Sequence, residues 1–179
     1  MSDPLPGSFA ASNKPPADIR QVLLDAMLDD TDEEFTNRVS GILEKSLMPE
    51  ASLFLPFVDH EEEMVRRRSV FLLSQVGGNE AVKAITSRLH DGSAIVRSSA
   101  VSSLGRLQAK EAVEELCSLL QSGADVSLSK AVAEALGKIG DPSAIPALQT
   151  AGKALGIVVR TTCDMAVRKI QSAQRAASA

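Results

Sequence analysis

The sequence predicts an all-α fold, a right-handed α-solenoid of about five stacked helical hairpins, and three observations carry the prediction. A six-residue pattern recurs in four copies, at offsets of 31, 32 and 31 residues. Glycine and proline punctuate the chain between helical stretches. The apolar fraction of 44% is mostly Ala, Leu, Val and Ile, with 3% aromatic residues and no Trp or Tyr, which suits helices packed through small side chains.

The copies are Val65-Arg66-Arg67-Arg68-Ser69-Val70, Val96-Arg97-Ser98-Ser99-Ala100-Val101, Leu128-Ser129-Lys130-Ala131-Val132-Ala133 and Val159-Arg160-Thr161-Thr162-Cys163-Asp164. In the same register Leu73, Leu104, Leu136 and Val167, then Val76, Leu107, Ile139 and Ile170, fall on one face of a first helix. Gly77-Gly78-Asn79 and Gly140-Asp141-Pro142 supply the stop and restart, with Gly past a helix end and Pro opening the next. A second helix repeats Val82, Ile85 and Leu89 as Val113, Leu116 and Leu120, then as Ile145 and Leu148. One such hairpin cannot bury its own apolar stripe, so the units must stack. The slot of Ser69, Ala100, Val132 and Cys163 sets how closely the first helices approach.

Element by element, residues 1–16 are expected to be disordered and 17–171 to form one repeat domain. Degenerate units occupy 17–58, full repeats 59–95, 96–127 and 128–158, a capping helix 159–171 and a flexible tail 172–179. In the degenerate part Ile19, Val22, Leu23 and Ala26 form a stripe. Thr31 and Glu34 have capping-box spacing ahead of Phe35, Val39, Ile42 and Leu43. Leu53 and Phe57 ahead of Asp59 mirror Ile85 and Leu89 ahead of Asp91.

The net charge of -4 is uneven: residues 1–64 hold 4 basic and 14 acidic side chains, residues 65–110 hold 8 and 2. Such asymmetry fits either a polar partner surface or neutralisation between stacked units. No signal peptide and no transmembrane run is present, and Cys117 and Cys163 match no metal spacing, so a reducing cytoplasm is expected.

Several motifs fail on chemistry. His60-Glu61-Glu62-Glu63-Met64 has Met where a zinc-protease helix needs its second His, and reads as an acidic helix start. Gly137-Lys138 lacks the phosphate-loop glycine and hydroxyl. His90 at a helix C-terminus, Cys117 at a core edge and Cys163 in the small-residue slot read as structural. The basic residues Arg66, Arg67, Arg68, Lys83, Arg88, Arg97 and Arg106 lack aromatic interleaving and lie between acidic segments, which argues against nucleic acid.

The stretches Val96 to Gly105 and Ala135-Leu136-Gly137-Lys138-Ile139-Gly140-Asp141-Pro142 onward to Leu148 resemble HEAT-like repeats of the phycobilisome lyase type, over residues 59–170. The resemblance implies an Asp–Arg ladder between units, matched by Asp59 with Arg66 and Asp91 with Arg97. Ser129 replaces the next Arg, and Arg160 lacks an upstream Asp. It also implies recognition in a concave groove of second helices, where spacing sets Lys83, Glu114 and Pro146 at one level, Ser87, Ser118 and Thr150 at another, and His90, Gln121 and Lys153 at a third.

The expected function is a non-enzymatic scaffold, an adaptor or assembly factor holding a protein partner in that groove, with no catalytic residue, metal or cofactor. The alternative implied by the resemblance is an accessory subunit of a bilin lyase or a chromophore-handling chaperone. Nucleic-acid binding through the basic middle is a minor third reading.

Overall fold

The computed structural model describes residues 16–29, 31, 33–37, 39, 51–123 and 125–177, with side chains from residue 21 onward. Each copy of the pattern forms the first helix of a hairpin: α2 (Glu63–Val76), α4 (Ala94–Leu107), α6 (Val126–Ile139) and α8 (Gly156–Ala177). Second helices follow three of them: α3 (Gly78–Ser87), α5 (Val113–Ser122) and α7 (Ile145–Ala154). The helix α1 (Pro16–Asp29) packs on α2. The chain is an all-α solenoid, and no strand occurs among the described residues.

The repeat register explains the core. Val65, Val96, Leu128 and Val159 are buried, as are Ser69, Ala100, Val132 and Cys163, and then Leu73, Leu104 and Leu136. On the second helices Ile85, Leu89, Leu116, Leu120 and Leu148 close the stripe. One contiguous cluster therefore runs through all the units, as expected when no hairpin can bury its face alone.

The turns use the predicted residues with one exception. Gly77 (φ 72°) and Gly140 (φ 76°) sit in the left-handed half of backbone space and donate to the carbonyls of Leu73 and Leu136. The equivalent residue of the middle unit is Gln108, which holds φ 51° despite its Cβ. Its side-chain amide donates to the Lys138 carbonyl at 3.1 Å, which ties the strained turn to the end of the next first helix.

Several boundaries differ from the expectation. The last helix starts at Gly156 and continues to Ala177, so the tail expected to be flexible from 172 is helical through 177; Gln171 to Ala177 contains no Pro or Gly to stop it. Among the described residues three full hairpins are present and α8 has no second helix. Around Leu53 and Phe57 the chain makes two short 3-10 turns, Ala51–Leu53 and Leu55–Phe57, with Pro56 opening the second. Phe54 is the most deeply buried residue there, whereas Leu53 is only partly covered. Val22, placed on the α1 stripe, is 38% exposed, and Met27 joins Leu23 and Ala26 inside instead.

The Thr31–Glu34 pair caps as its spacing predicts. The Thr31 amide and hydroxyl donate to the Glu34 carboxylate at 2.9 and 2.8 Å, and the Glu34 amide donates to the hydroxyl at 3.3 Å. Residues 33–37 are helical, and Phe35 and Val39 are buried. Ile42, Leu43 and residues 1–15 lie outside the described residues.

Packing between units is uneven. A Cβ on Gly105 would meet the Ala135 Cα and Cβ at 3.0 Å, and one on Gly137 would meet the Ala166 Cβ and Cα at 3.0 and 3.1 Å. First helices therefore touch backbone to backbone along their length, while α3 and α5 meet at few points at most and α5 and α7 only moderately.

Candidate functional site

The charged edge comes first, because it links units. Arg66, near the start of α2, makes a bidentate pair with Asp91 in the turn ahead of α4, with Nε and Nη2 each 2.9 Å from a carboxylate oxygen. Its Nη1 also binds the carbonyls of His60 and Glu61. Arg97 repeats only the second half of this arrangement, donating to the carbonyls of Asp91 and Gly92. The slot one unit beyond Asp91 is Gly123, so Arg97 finds no carboxylate there. Asp59, matched to Arg66 by the resemblance, instead pairs with Arg88 at 2.8 Å and is exposed. The rung thus runs from Arg66 on α2 to Asp91 in the turn ahead of α4, while Arg97 binds only the backbone of that turn and Asp59 pairs with Arg88.

The Asp91 side chain is 3% exposed. Burial alone would raise its carboxyl, but hydrogen bonds from Arg66 and the Ser93 amide, with the Arg66 and Arg88 charges, outweigh that and hold it below the ordinary carboxylate range. Arg66 is pushed up correspondingly, chiefly by its hydrogen bond to Asp91.

The three consecutive arginines point three ways. Arg66 serves the rung, Arg67 lines an outward hollow, and Arg68 turns inward. Arg68 donates to the carbonyls of Ala26 and Met27 at 3.0 and 2.9 Å, where the last turn of α1 leaves acceptors without helical partners, and lies 4.6 Å from the Phe35 ring centre. Asp91 and loop carbonyls thus engage Arg66, and carbonyls at the end of α1 engage Arg68.

The groove residues Lys83, Ser87, His90, Glu114, Ser118, Gln121, Thr150 and Lys153 are all exposed on or beside the second helices. Glu114, Ser118 and Gln121 line a polar hollow of about 590 Å³ between α5 and α7, with Cys117 and Pro146. Burial, and then Asp141, pushes the Cys117 thiol up, which disfavours the thiolate. Ser87 and His90 open onto a separate charged hollow of about 410 Å³ beside Arg66 and Asp91. The His90 Nε2 stands 2.5 Å from the Glu115 carboxylate, across two units. The second helices form the more loosely packed layer, and these residues stand on it.

The first-helix layer carries what sequence reading missed. Phe71, Ile95 and Met165 are 39%, 51% and 57% exposed, and no large apolar side chain is comparably exposed on α3, α5 or α7. Phe71 and Ile95 line a hollow of about 420 Å³ with Ser98, Ser99 and Ser102. Met165 lines another of about 310 Å³ with Lys138, Thr162 and Lys169. The signal was available: Phe71, Ser102, Glu134 and Met165 are one register slot, off the buried stripe. No group of three or more His, Cys, Asp or Glu side chains arranged for a metal occurs among the described residues. No described helix is long and apolar enough to cross a membrane.

Residues 82–168 match the family model for HEAT repeats. No curated protein sequence matches the chain. Among solved structures, human deoxyhypusine hydroxylase in complex with glycerol is similar at 24% identity and TM-score 0.60, over 87% of this chain and 63% of that one, so this chain spans less than two thirds of the hydroxylase. The complex of CpcE and CpcF of phycocyanin lyase from Nostoc sp. PCC7120 is similar at 23% identity and TM-score 0.61, over 94% of this chain and 71% of that one. An engineered protein follows at 19% identity and TM-score 0.50, over 89% and 85%. At these identities the likeness shows the fold. Two of the three are enzymes by name, which corrects the expectation of a non-enzymatic chain: the fold occurs in enzymes and does not by itself exclude catalysis. The register, the stacked hairpins and the match over residues 82–168 lead to one conclusion: the chain is an all-α solenoid that carries HEAT-like repeats.

Proposed function

We propose that the chain is a scaffold that holds a protein partner on its first-helix layer, as an adaptor or assembly factor. The observation that carries this reading is the one-sided exposure of large apolar side chains, Phe71, Ile95 and Met165, on α2, α4 and α8. Exposed large apolar side chains set among polar groups have a free-energy reason to be covered, and side chains held on rigid helices are ordered before a partner arrives. The polar second-helix face has less to gain from burial.

The experiment is a comparison of two variants by affinity capture from native extract, with helicity matched by circular dichroism. Ile95→Glu with Met165→Glu alters the first-helix face; Lys83→Glu, Ser118→Arg and Lys153→Glu together alter the second. The expected result is a partner retained by the wild type and the second variant and lost by the first. Loss by the second variant alone would move the partner to the second-helix face and overturn the assignment.

The likeness to the CpcE–CpcF complex supports a second reading, in which the chain is an accessory subunit acting on a chromophore-bearing protein. It predicts an absorbance shift when the purified protein is mixed with a linear tetrapyrrole and an acceptor protein. A flat difference spectrum counts against it.

A further inference from the structure

The first-helix layer carries a second regularity, visible only in register. Gln75, Arg106, Lys138 and Lys169 occupy one slot on four successive first helices, so three consecutive helices present a cation at the same height. Arg106, Lys138 and Lys169 are exposed and pair with no carboxylate among the described residues. Cations near helix C-termini are ordinarily explained by the macrodipole, and Arg106 and Lys138 do stand in the last turns of α4 and α6. Lys169 does not fit that explanation, because α8 continues for more than two turns beyond it, to Ala177.

One helical turn from this row lies the slot with Phe71 at one end and Met165 at the other. Arg106 links the two rows at the Phe71 end: its guanidinium donates to the Ser74 hydroxyl and stands 6.0 Å from the Phe71 ring centre. Between the ends the slot holds Ser102 and Glu134, and the Glu134 carboxylate lies 3.9 Å from the Lys130 ammonium on its own helix. The surface is thus two apolar anchors, a polar middle and a cationic edge.

Resting on the scaffold reading above, we propose that this surface docks an acidic amphipathic helix laid across the first helices. The geometry selects both its charge and its length. Packed helices are spaced by roughly 8–10 Å, so the cations recur at about that interval and the anchors Phe71 and Met165 lie roughly 25–30 Å apart. A helix rises about 1.5 Å per residue, so carboxylates seven residues apart repeat every ~10.5 Å and about twenty residues span the anchors. Apolar side chains at the two ends of such a helix cover Phe71 and Met165, while its acidic edge faces Arg106, Lys138 and Lys169. Adjacent phosphates of a single nucleic-acid strand are closer together than this cation spacing, and the layer offers one exposed aromatic ring for stacking.

The test uses the full chain and three fluorescent twenty-residue helical peptides, measured by anisotropy. One has Glu at seven-residue spacing beside a Leu stripe, one has Lys at those positions, and one has the Glu residues on the opposite face. The expected result is binding of the first peptide at least tenfold tighter than either control, weakening as salt rises. Lys138→Glu with Lys169→Glu should reduce that binding at least tenfold, as should Ile95→Glu with Met165→Glu. Equal binding of all three peptides, unchanged binding by the lysine variant, or preferential binding of a twenty-nucleotide single-stranded DNA would each overturn the proposal. If the peptides fail while Ile95→Glu with Met165→Glu still abolishes capture of a protein from extract, the acidic helix is wrong and the scaffold reading stands. If both fail, the scaffold reading falls with it.

Discussion

The two layers of this solenoid are built from the same repeat and differ in what they do with it. First helices meet through Gly105 on Ala135 and Gly137 on Ala166, backbone against backbone. Second helices stand apart, with an open polar hollow of about 590 Å³ between α5 and α7. The tight layer exposes apolar side chains, and the open layer exposes polar ones. In a curved stack, close spacing shapes a surface that a partner can fill, whereas wide spacing admits water.

Substitutions that separate the layers sharpen this comparison. The largest effect belongs to the rung between units. Arg66→Ala leaves the Asp91 carboxylate, 3% exposed, without its bidentate partner, and should cost about 3 kcal/mol in urea unfolding. A pH dependence follows from the same pair. The Asp91 carboxyl is held down in the folded state, so its contribution is present above the unfolded value of about 3.9 and is lost as pH falls through the lower folded value. Asp91→Asn should therefore be less stable than wild type at neutral pH, with the gap closing below about pH 4; a gap that widens on acidification would contradict the assignment.

Next comes the helix contact itself. Gly105→Val puts branched bulk where even a Cβ meets the Ala135 backbone side at 3.0 Å, and should destabilise by about 2 kcal/mol, against the usual gain from replacing a helical glycine. A smaller change with the opposite sign is expected at Gln108. Gln108→Gly relieves its left-handed backbone at the loss of the exposed contact to Lys138, for a net gain of about 0.5 kcal/mol by thermal unfolding. Smallest of all, Lys83→Glu with Ser118→Arg and Lys153→Glu should stay within about 0.5 kcal/mol of wild type for each substitution, since the open layer has no packing to lose.

The buried register was legible because the core repeats: Val65, Val96, Leu128 and Val159 answer one another at fixed offsets, and each faces the same neighbour in space. The Thr31–Glu34 cap was legible because its chemistry is local. The inward turn of Arg68 was not, since its acceptors are carbonyls of Ala26 and Met27, over forty residues away. The close approach of the first helices was not legible either. It depends on whether Gly105 and Gly137 meet a small residue on the next helix, and a pattern of apolar and polar positions treats a glycine in a contact like a glycine in a turn. The second-helix residues named from the register are exposed, and the first-helix face proposed above rests on the exposed Phe71, Ile95 and Met165, which lie off the buried stripe.

The far side of α8 carries a further consequence. The slot that holds Ser74, Gly105 and Gly137 in the preceding first helices is Arg168 in α8, and the slot of Val70, Val101 and Ala133 is Asp164. Both sit where a following first helix would pack, and both oppose it, one by bulk and one by charge. A repeat stack offers a head-to-tail contact that can propagate without limit, and bulk and charge in these two slots disfavour such a contact on this face of α8. Asp164→Val with Arg168→Gly would restore the slot residues of the inner units, and it should promote self-association, visible as a concentration-dependent rise in mass by light scattering.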